Sequence, residues 1–175
     1  PKIIINNSRY INHSPRTMET FFQSHAYLVE HTNSPIRRGL MDTIDWSYRL
    51  IGIRGSRGVG RTQFLLSYAK ENFDPRLRQC LYANMNSFYF QGRKLVDFAA
   101  DFIKLGGQVL LIDQAFKLPN WREQIIECYN RFPYLRIVYS TTSVRGGEND
   151  HTELNTLAQQ YWLHGFSFRE YINLR

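Results

Sequence analysis

From Tyr48 onward, apolar and polar positions follow a regular pattern in which short apolar runs alternate with segments of helical spacing. The predicted strands are Tyr48–Arg54, Gln79–Asn84, Gln108–Asp113, Leu135–Ser140 and Gln160–Leu163. Strands that alternate with helices predict βαβ units, and unbroken runs such as Val109–Ile112 are typical of parallel strands covered on both faces. We therefore expect an α/β fold with a central parallel sheet.

Helical spacing is clearest in two segments. The first is Thr17–Glu30, whose predicted apolar face consists of Phe21, Phe22, His25, Leu28 and Val29. The second precedes Gly106 and Gly107, and its predicted apolar face consists of Leu95, Phe98, Ala99, Phe102 and Leu105. Both stripes have the i, i+3, i+4 spacing that an amphipathic helix buries.

Two further helices have the sequence signature of a capping box at their start. Asn120 with Glu123 marks one, and Ser167 with Glu170 marks the other. The break at Asn33–Pro35 separates the first helix from the regular part of the chain. We expect an N-terminal helical appendage over 1–42 and the main domain over 43–175.

Composition agrees with one folded domain. The chain has 175 residues, of which 43% are hydrophobic, with only 6 Pro and 11 Gly. No apolar stretch is long enough for a membrane span or a signal peptide, so we expect a cytoplasmic protein with no membrane partner. Cys80 and Cys128 lie far apart in apolar segments, so they are expected to be buried free thiols, without a disulfide or a structural metal.

Basic residues outnumber acidic ones by 22 to 15, which gives a net charge of +7, and 17 of the basic residues are Arg. Four of them lie within 13 residues of one another: Arg49, Arg54, Arg57 and Arg61. This cluster favours an anionic partner. A solvated basic face is the alternative for Arg49 and Arg54.

A glycine-rich segment directly follows the first predicted strand and precedes a helical segment. It consists of Gly55, Ser56, Arg57, Gly58, Val59, Gly60, Arg61, Thr62 and Gln63. The phosphate-binding loop has the pattern G-x-x-x-x-G-K-[ST], and this segment matches it except that Arg61 replaces the lysine. Glycines let backbone N–H groups converge on a phosphate at a helix N-terminus, and the Thr62 hydroxyl is a Mg²⁺ ligand candidate. A simple glycine-rich turn is the alternative.

Arg61 changes the expected chemistry of this loop. Lysine reaches the β- and γ-phosphates as a compact point charge, whereas arginine is planar, larger and forked. We therefore expect nucleotide binding that is weaker or differently posed.

A second motif ends the third predicted strand, where Val109–Ile112 is followed by Asp113 and Gln114. This is a Walker B pattern, in which the aspartate holds Mg²⁺ at the carboxyl end of its strand. The next residue in such ATPases is a glutamate that polarises water, and an amide cannot accept that proton. We expect Gln114 to orient water at best. The alternatives are a turn-capping role for Asp113 and no catalytic role for Gln114.

The strand Leu135–Tyr139 runs into a group of four hydroxyl residues, Ser140, Thr141, Thr142 and Ser143. A polar side chain on a strand between the loop strand and the Walker B strand is a candidate sensor of the γ-phosphate, for which we choose Ser140. Turns and caps use the same residue types, so both interpretations remain open.

These motifs together resemble a family. The segments that carry the resemblance are Arg54–Thr62, Leu81–Asn86 with Phe88–Phe90, Val109–Gln114 with Lys117–Trp121, Arg136–Ser143 and Gly165–Tyr171. They are similar to prokaryotic AAA-superfamily P-loop ATPases in which a C-terminal domain of unknown function follows the ATPase domain. The resemblance implies a three-layer αβα fold of the ASCE type with strand order 5-1-4-3-2. It implies ATP or ADP with Mg²⁺ as cofactors, and a C-terminal partner domain that this chain lacks.

The chain departs from that family at chemical positions. Besides Arg61 and Gln114, it has Ala115 and Phe116 after the Walker B motif, and Asn155–Leu157 where the family has a Ser-Arg-Arg run that would supply an arginine finger. The apolar strands and glycines are intact. This pattern favours a pseudo-ATPase that binds nucleotide and hydrolyses it poorly or not at all.

Two other functions remain open at this point. One is a competent ATPase that uses Arg61 and Gln114 unconventionally. The other is a nucleotide-free module that binds a protein client or DNA through its arginines, with stacking aromatics among Tyr82, Phe88, Tyr89, Phe90 and Trp121. Core packing is the expected role of those aromatics.

Overall fold

The computed structural model describes residues 15–142 and 153–172, so the predicted lead-in and Ser143 lie outside the described residues. The helices are α1 (Pro15–His31), α2 (Leu40–Thr43), α3 (Arg61–Asn72), α4 (Leu95–Lys104), α5 (Trp121–Arg131), α6 (Glu153–Leu157) and α7 (Phe168–Ile172). The strands are β1 (Leu50–Gly55), β2 (Cys80–Asn84), β3 (Val109–Asp113), β4 (Arg136–Thr142) and β5 (Gln159–Trp162). Single turns of 3₁₀ helix span Pro75–Leu77, Phe88–Phe90 and Ala115–Lys117.

The five strands form one parallel sheet in the order β2-β3-β4-β1-β5. Read from the other edge, this is 5-1-4-3-2, so the predicted fold class and strand order are confirmed. Strand β4, which bears Ser140, lies between β1 and β3, as expected. In register, Ile53 pairs with Ser140 and Asn84 pairs with Asp113, which aligns the polar strand ends along one edge.

Helices cover the sheet on both faces because successive strand side chains point to opposite sides. On one face, Ile51, Ile53 and Leu111 pack with Phe64 and Leu65 of α3. The other face packs against α4 and α5. Its buried members include Leu110, Ile112, Ile137, Phe98, Phe102 and Ile125. The result is a three-layer αβα molecule.

Helix α1 packs against the free edge of the sheet at β2. Its residues Met18 and Phe22 belong to the core shared with α4, and Val29 belongs to the core shared with α3. The helix therefore joins the two apolar layers around the sheet edge.

The helix predictions are mostly confirmed, with exceptions at the helix ends and surfaces. Leu28 and Leu105 were expected on buried faces, but both are exposed. Leu28 faces solvent because α1 packs around an edge and buries only a narrow stripe. Leu105 lies beyond the last turn of α4, as its C-cap.

Only one of the two predicted capping boxes forms. Ser167 and Glu170 exchange backbone-to-side-chain hydrogen bonds of 2.7 and 3.2 Å. Asn120 makes no side-chain cap, because its backbone is left-handed with φ 48°. An N-cap normally has extended backbone, which lets its side chain reach back to the helix N–H groups.

Both cysteines are free and buried, as predicted, and burial raises the pKa of each thiol to about 12. Within residues 15–142 and 153–172, no helix combines the length and the apolar character that crossing a bilayer requires.

Candidate functional site

The predicted phosphate loop connects β1 to α3 and is shaped by three glycines. Gly58 and Gly60 have φ of +85° and +92°, which side chains rarely tolerate. At Gly55, an added Cβ would lie 2.6 Å from the Leu163 carbonyl oxygen, so only glycine fits against the end of β5. Helix α3 begins directly after the loop, and its N-terminus therefore faces the loop interior.

Arg61 turns back onto the loop. Its Nη1 donates to the carbonyl oxygens of Gly55, Ser56 and Thr141, the last two at 3.3 and 3.0 Å. Burial lowers the pKa of Arg61, and the nearby Asp113 carboxylate partly opposes that shift. The guanidinium thus binds backbone at the end of β1 and of β4.

Asp113 lies at the carboxyl end of β3, and each of its carboxylate oxygens accepts two hydrogen bonds. Its Oδ2 accepts from the Thr62 hydroxyl at 2.6 Å and from the Tyr82 hydroxyl at 2.8 Å. Its Oδ1 accepts from Ser140 at 2.5 Å and from the Gln114 N–H at 3.0 Å. The two predicted motifs therefore meet directly at the Thr62–Asp113 hydrogen bond.

Ser140 and Gln114 lie on the far side of this carboxylate. Ser140 is fully buried and accepts from the Gln114 N–H at 2.9 Å while it donates to Asp113. Gln114 has left-handed backbone with φ 56°. The structure brings both residues to Asp113, and their roles as sensor and water-orienting group stay predictions.

Tyr82 is a member of this site that sequence reasoning assigned to core packing. It lies on β2, and its hydroxyl donates to the same Asp113 oxygen that Thr62 uses. Burial and the neighbouring carboxylate raise the pKa of Tyr82 far above its usual range, so it stays a donor. One signal was available in the sequence, because a phenol inside a buried strand usually has a hydrogen-bond partner.

The N-terminal helix also reaches this site. His25 of α1 is buried, and its Nδ1 accepts from the backbone N–H of Tyr82 at 3.1 Å. Because Tyr82 N–H points away from β3, the imidazole takes the place of a neighbouring strand. Burial lowers the pKa of His25 to about 4, so the ring is neutral near pH 7.

The four clustered arginines do not form one patch. Arg49 lies at the opposite end of β1 and donates to the carbonyls of Tyr129 and Phe132. Arg54 donates to Gln160, and Arg61 binds the loop backbone. The alternative of a solvated basic face therefore does not hold for Arg49, whose guanidinium donates to protein carbonyls. Arg57 is the exposed residue of the four, and the other three are partly buried.

A cavity of about 590 Å³ adjoins the loop, between α3 and the segment that precedes α2. Gly58, Val59, Gly60 and Gln63 line its loop side, and Ile36 and Phe64 contribute apolar surface. Gln63 Nε2 is buried and has no hydrogen-bond partner among the described residues. The volume of this cavity lies within the usual range of small-molecule sites, roughly 300–1,000 Å³.

Residues 47–172 match the family described as AAA domain. The chain belongs to this family. AAA domains are P-loop nucleotide-binding domains, and the loop and Asp113 of this one lie at the carboxyl edge of the sheet, where α/β folds bind ligands. Among the curated proteins, none matches the chain.

One solved structure similar to this AAA domain is that of PCH-2 from C. elegans. The similarity covers 87% of this chain at 16% sequence identity, with a TM-score of 0.47. It covers 43% of the PCH-2 chain, so this chain spans less than half the length of that relative.

The oxygen donors of this AAA domain suit a hard divalent cation such as Mg²⁺. Thr62 Oγ1 and Asp113 Oδ2 are oxygens 2.6 Å apart, and Mg²⁺ prefers one or two such protein oxygens together with phosphates and water. Over the described ranges, no group of three or more His, Cys, Asp or Glu could hold a metal on its own.

Proposed function

We propose that this AAA domain binds ATP or ADP with Mg²⁺ and hydrolyses ATP slowly or not at all. The observation that carries the proposal is the Thr62–Asp113 hydrogen bond of 2.6 Å, which joins the phosphate-loop helix to the Walker B strand. It supports a retained metal-phosphate site. The two substituted positions, Arg61 and Gln114, argue separately against turnover.

Thr62 and Asp113 would hold the magnesium ion. When bound, the ion neutralises phosphate charge and fixes the phosphate oxygens. Tyr82 would keep its hydrogen bond to Asp113 and so hold the carboxylate in one orientation. Such bonds behind a ligand group usually strengthen metal binding.

The contacts of Arg61 support slow hydrolysis. A cation that stabilises phosphoryl transfer has to reach the β- and γ-phosphates, where charge develops. Arg61 Nη1 instead has three backbone carbonyl partners behind the loop. Moving the guanidinium to phosphate would leave those carbonyls without their donor.

The position after Asp113 also lacks a base. Gln114 carries an amide, and its backbone N–H is already bonded to Ser140 and Asp113. An amide is able to orient water but cannot take its proton.

The cavity beside the loop supports a nucleotide over free phosphate. It adjoins Gly58 and Gly60, has apolar surface from Phe64, and is lined by Gln63. A nucleoside would supply an apolar ring for that surface.

The remaining predictions extend this proposal. The prokaryotic origin, the C-terminal partner domain, the cytoplasmic location and the division into 1–42 and 43–175 all stay predictions. The internal contacts of Arg49, Arg54 and Arg61 weaken the alternative of DNA binding, because these guanidinium groups already donate to acceptors within the protein.

Thermal unfolding with Mg-ATP and Mg-ADP tests the proposal. We expect a saturable rise in Tm, since a ligand at about 100 times its Kd stabilises the folded state by about 2.7 kcal/mol. Thr62→Val should abolish the rise, and Thr43→Val should retain it because the hydroxyl of that exposed threonine donates to the Gly39 carbonyl one turn before it.

Phosphate release measured on the same samples separates the alternatives. We expect background release with the wild-type chain. Release that Asp113→Ala abolishes would establish a competent ATPase, and no Tm shift at millimolar nucleotide would contradict nucleotide binding itself.

A further inference from the structure

Arg38 connects three separate parts of the molecule. It precedes α2, and its Nη1 donates to the Val59 carbonyl of the phosphate loop at 2.9 Å. Its Nη2 donates to the carbonyls of His164 and Gly165, which follow β5, and its Nε donates to Glu170 of α7 at 3.2 Å. One forked side chain thus has four acceptors on two distant segments, a geometry that arginine alone offers.

The surroundings of Arg38 hold this geometry in place. The guanidinium carbon lies 4.8 Å from the ring centroid of Phe166, in a cation–π contact. The side chains of Arg38 and Glu170 are only 10% and 15% exposed, so solvent screens their ion pair less than it screens a surface pair.

Glu170 completes the connection without contacting the loop. Its Oε1 accepts from Arg38 Nε and from the Gly39 N–H, and its Oε2 accepts from the Ser167 N–H. Burial would raise the pKa of Glu170, but these hydrogen bonds and the arginine charge outweigh it and lower the pKa to about 2. The carboxylate is therefore charged at any ordinary pH.

The bond to Val59 determines the direction of a loop amide. The Val59 carbonyl and the Gly60 N–H belong to one planar trans peptide, in which the two groups point in opposite directions. Since Arg38 fixes the carbonyl, it also directs the Gly60 N–H away from itself. The flanking Gly58 and Gly60 have wide backbone freedom, so the peptide needs such an anchor to keep one orientation.

We infer that Arg38 is a positioning residue that sets the phosphate loop, and that Glu170 acts on the loop only through Arg38. The inference rests on the proposed function for its consequence in nucleotide affinity. Its structural part does not depend on nucleotide. A displacement of the segment 164–170 would then change how tightly the loop binds phosphate.

The first test is amide hydrogen exchange of the loop peptides without any ligand. In Arg38→Lys and in Glu170→Gln, we expect faster exchange over 56–60 than in the wild type. Arg76→Ala is the matched control, because Arg76 is 91% exposed and its ion pair with Asp74 is long, at 3.9 Å. Unchanged loop exchange in both site variants would overturn the inference.

The second test measures binding of Mg-ATP and of tripolyphosphate, a probe of the loop without the nucleoside cavity. We expect Arg38→Ala and Arg38→Lys to weaken both by about tenfold, the typical effect of one lost charged hydrogen bond. Lysine keeps the positive charge but lacks the planar guanidinium with its several donors. Wild-type affinity in Arg38→Lys would therefore show that charge alone acts, and would overturn positioning.

A double-mutant cycle tests the role of Glu170. We expect Glu170→Gln to weaken binding alone but to add nothing to Arg38→Ala, since both changes remove one connection. Additive losses would contradict the inference. If Arg38→Ala does not fold, Arg38→Lys replaces it in the cycle.

The experiments distinguish a failure of the proposed function from a failure of the positioning role. If the wild type binds neither ligand while Arg38→Lys loosens the loop, the proposed function fails and the positioning role stands. If the wild type binds Mg-ATP and the variants match it in exchange and affinity, the positioning role fails and the proposed function stands.

Discussion

At the scale of single residues, Arg61 has the most direct effect on the chemistry of this chain. The motif lysine is a point charge for phosphate, whereas Arg61 donates to the carbonyls of Gly55 and Thr141. Its charge therefore stabilises the ends of β1 and β4. Arg61 therefore keeps the positive charge of the motif lysine but directs that charge to backbone carbonyls.

A pair of reversions tests this explanation. We expect Arg61→Lys with Gln114→Glu to raise steady-state phosphate release above the wild-type background by at least tenfold, because a phosphate-directed cation and a base each contribute a large factor. Phosphate release under saturating Mg-ATP is the measurement. Release that persists after adding Asp113→Asn would come from a contaminant, and unchanged release in the double variant would contradict the explanation.

Some site residues were predictable from the sequence and others were not. Thr62 and Asp113 belong to local motifs with fixed spacing, so their meeting at 2.6 Å followed from the fold. Tyr82 and Arg38 act through contacts with residues 31 and 132 positions away, respectively. No local pattern encodes such contacts.

At the scale of secondary structure, α1 and β2 are joined by apolar packing and by a hydrogen bond to one neutral imidazole. His25 Nδ1 accepts from Tyr82 N–H, and a protonated ring could not accept there. The pKa of His25 is about 4 in the folded chain and about 6.5 when unfolded, so the unfolded chain binds more protons between these values.

Stability should therefore fall as pH decreases from about 6.5 to about 4. Near pH 4, protonation of His25 should have lowered the free energy of unfolding by about 3 kcal/mol. Urea unfolding at several pH values measures it. His25→Asn, whose amide oxygen accepts without titrating, should lose this part of the pH dependence. His31→Asn, in an exposed residue of the same helix, should keep it, and equal slopes in both variants would contradict the assignment.

The strands were predictable because buried parallel strands are continuous apolar runs, as in Val109–Ile112. Helix ends were less predictable. Asn120 has the right side chain for a cap, but its left-handed backbone prevents the bond, and backbone conformation there is set by the preceding turn.

At the scale of the whole molecule, α1 contributes to both apolar layers. Met18 and Phe22 pack in one core and Val29 in the other, and burying three such side chains stabilises the fold by about 5 kcal/mol. This is comparable to the whole stability of a domain, about 5–15 kcal/mol. The sequence predicted the helix but not this role, because α1 packs against strands and helices that come later in the chain.

Deleting residues 1–31 should therefore leave a chain that is largely unfolded at 25 °C. Circular dichroism and urea titration would report it. Deleting residues 1–14 is the control, since it leaves every described contact of α1 in place. A cooperative unfolding transition at wild-type urea concentration in the longer deletion would support an independent domain over 43–175 instead.

The contact between His25 and Tyr82 also bears on solubility. A parallel sheet ends at β2, and an uncovered strand edge offers its N–H and C=O groups to another chain. The imidazole fills one of those positions, and α1 covers the edge. Conditions that detach α1 would turn β2 into a template for strand addition, so self-association in mild acid should begin at this edge.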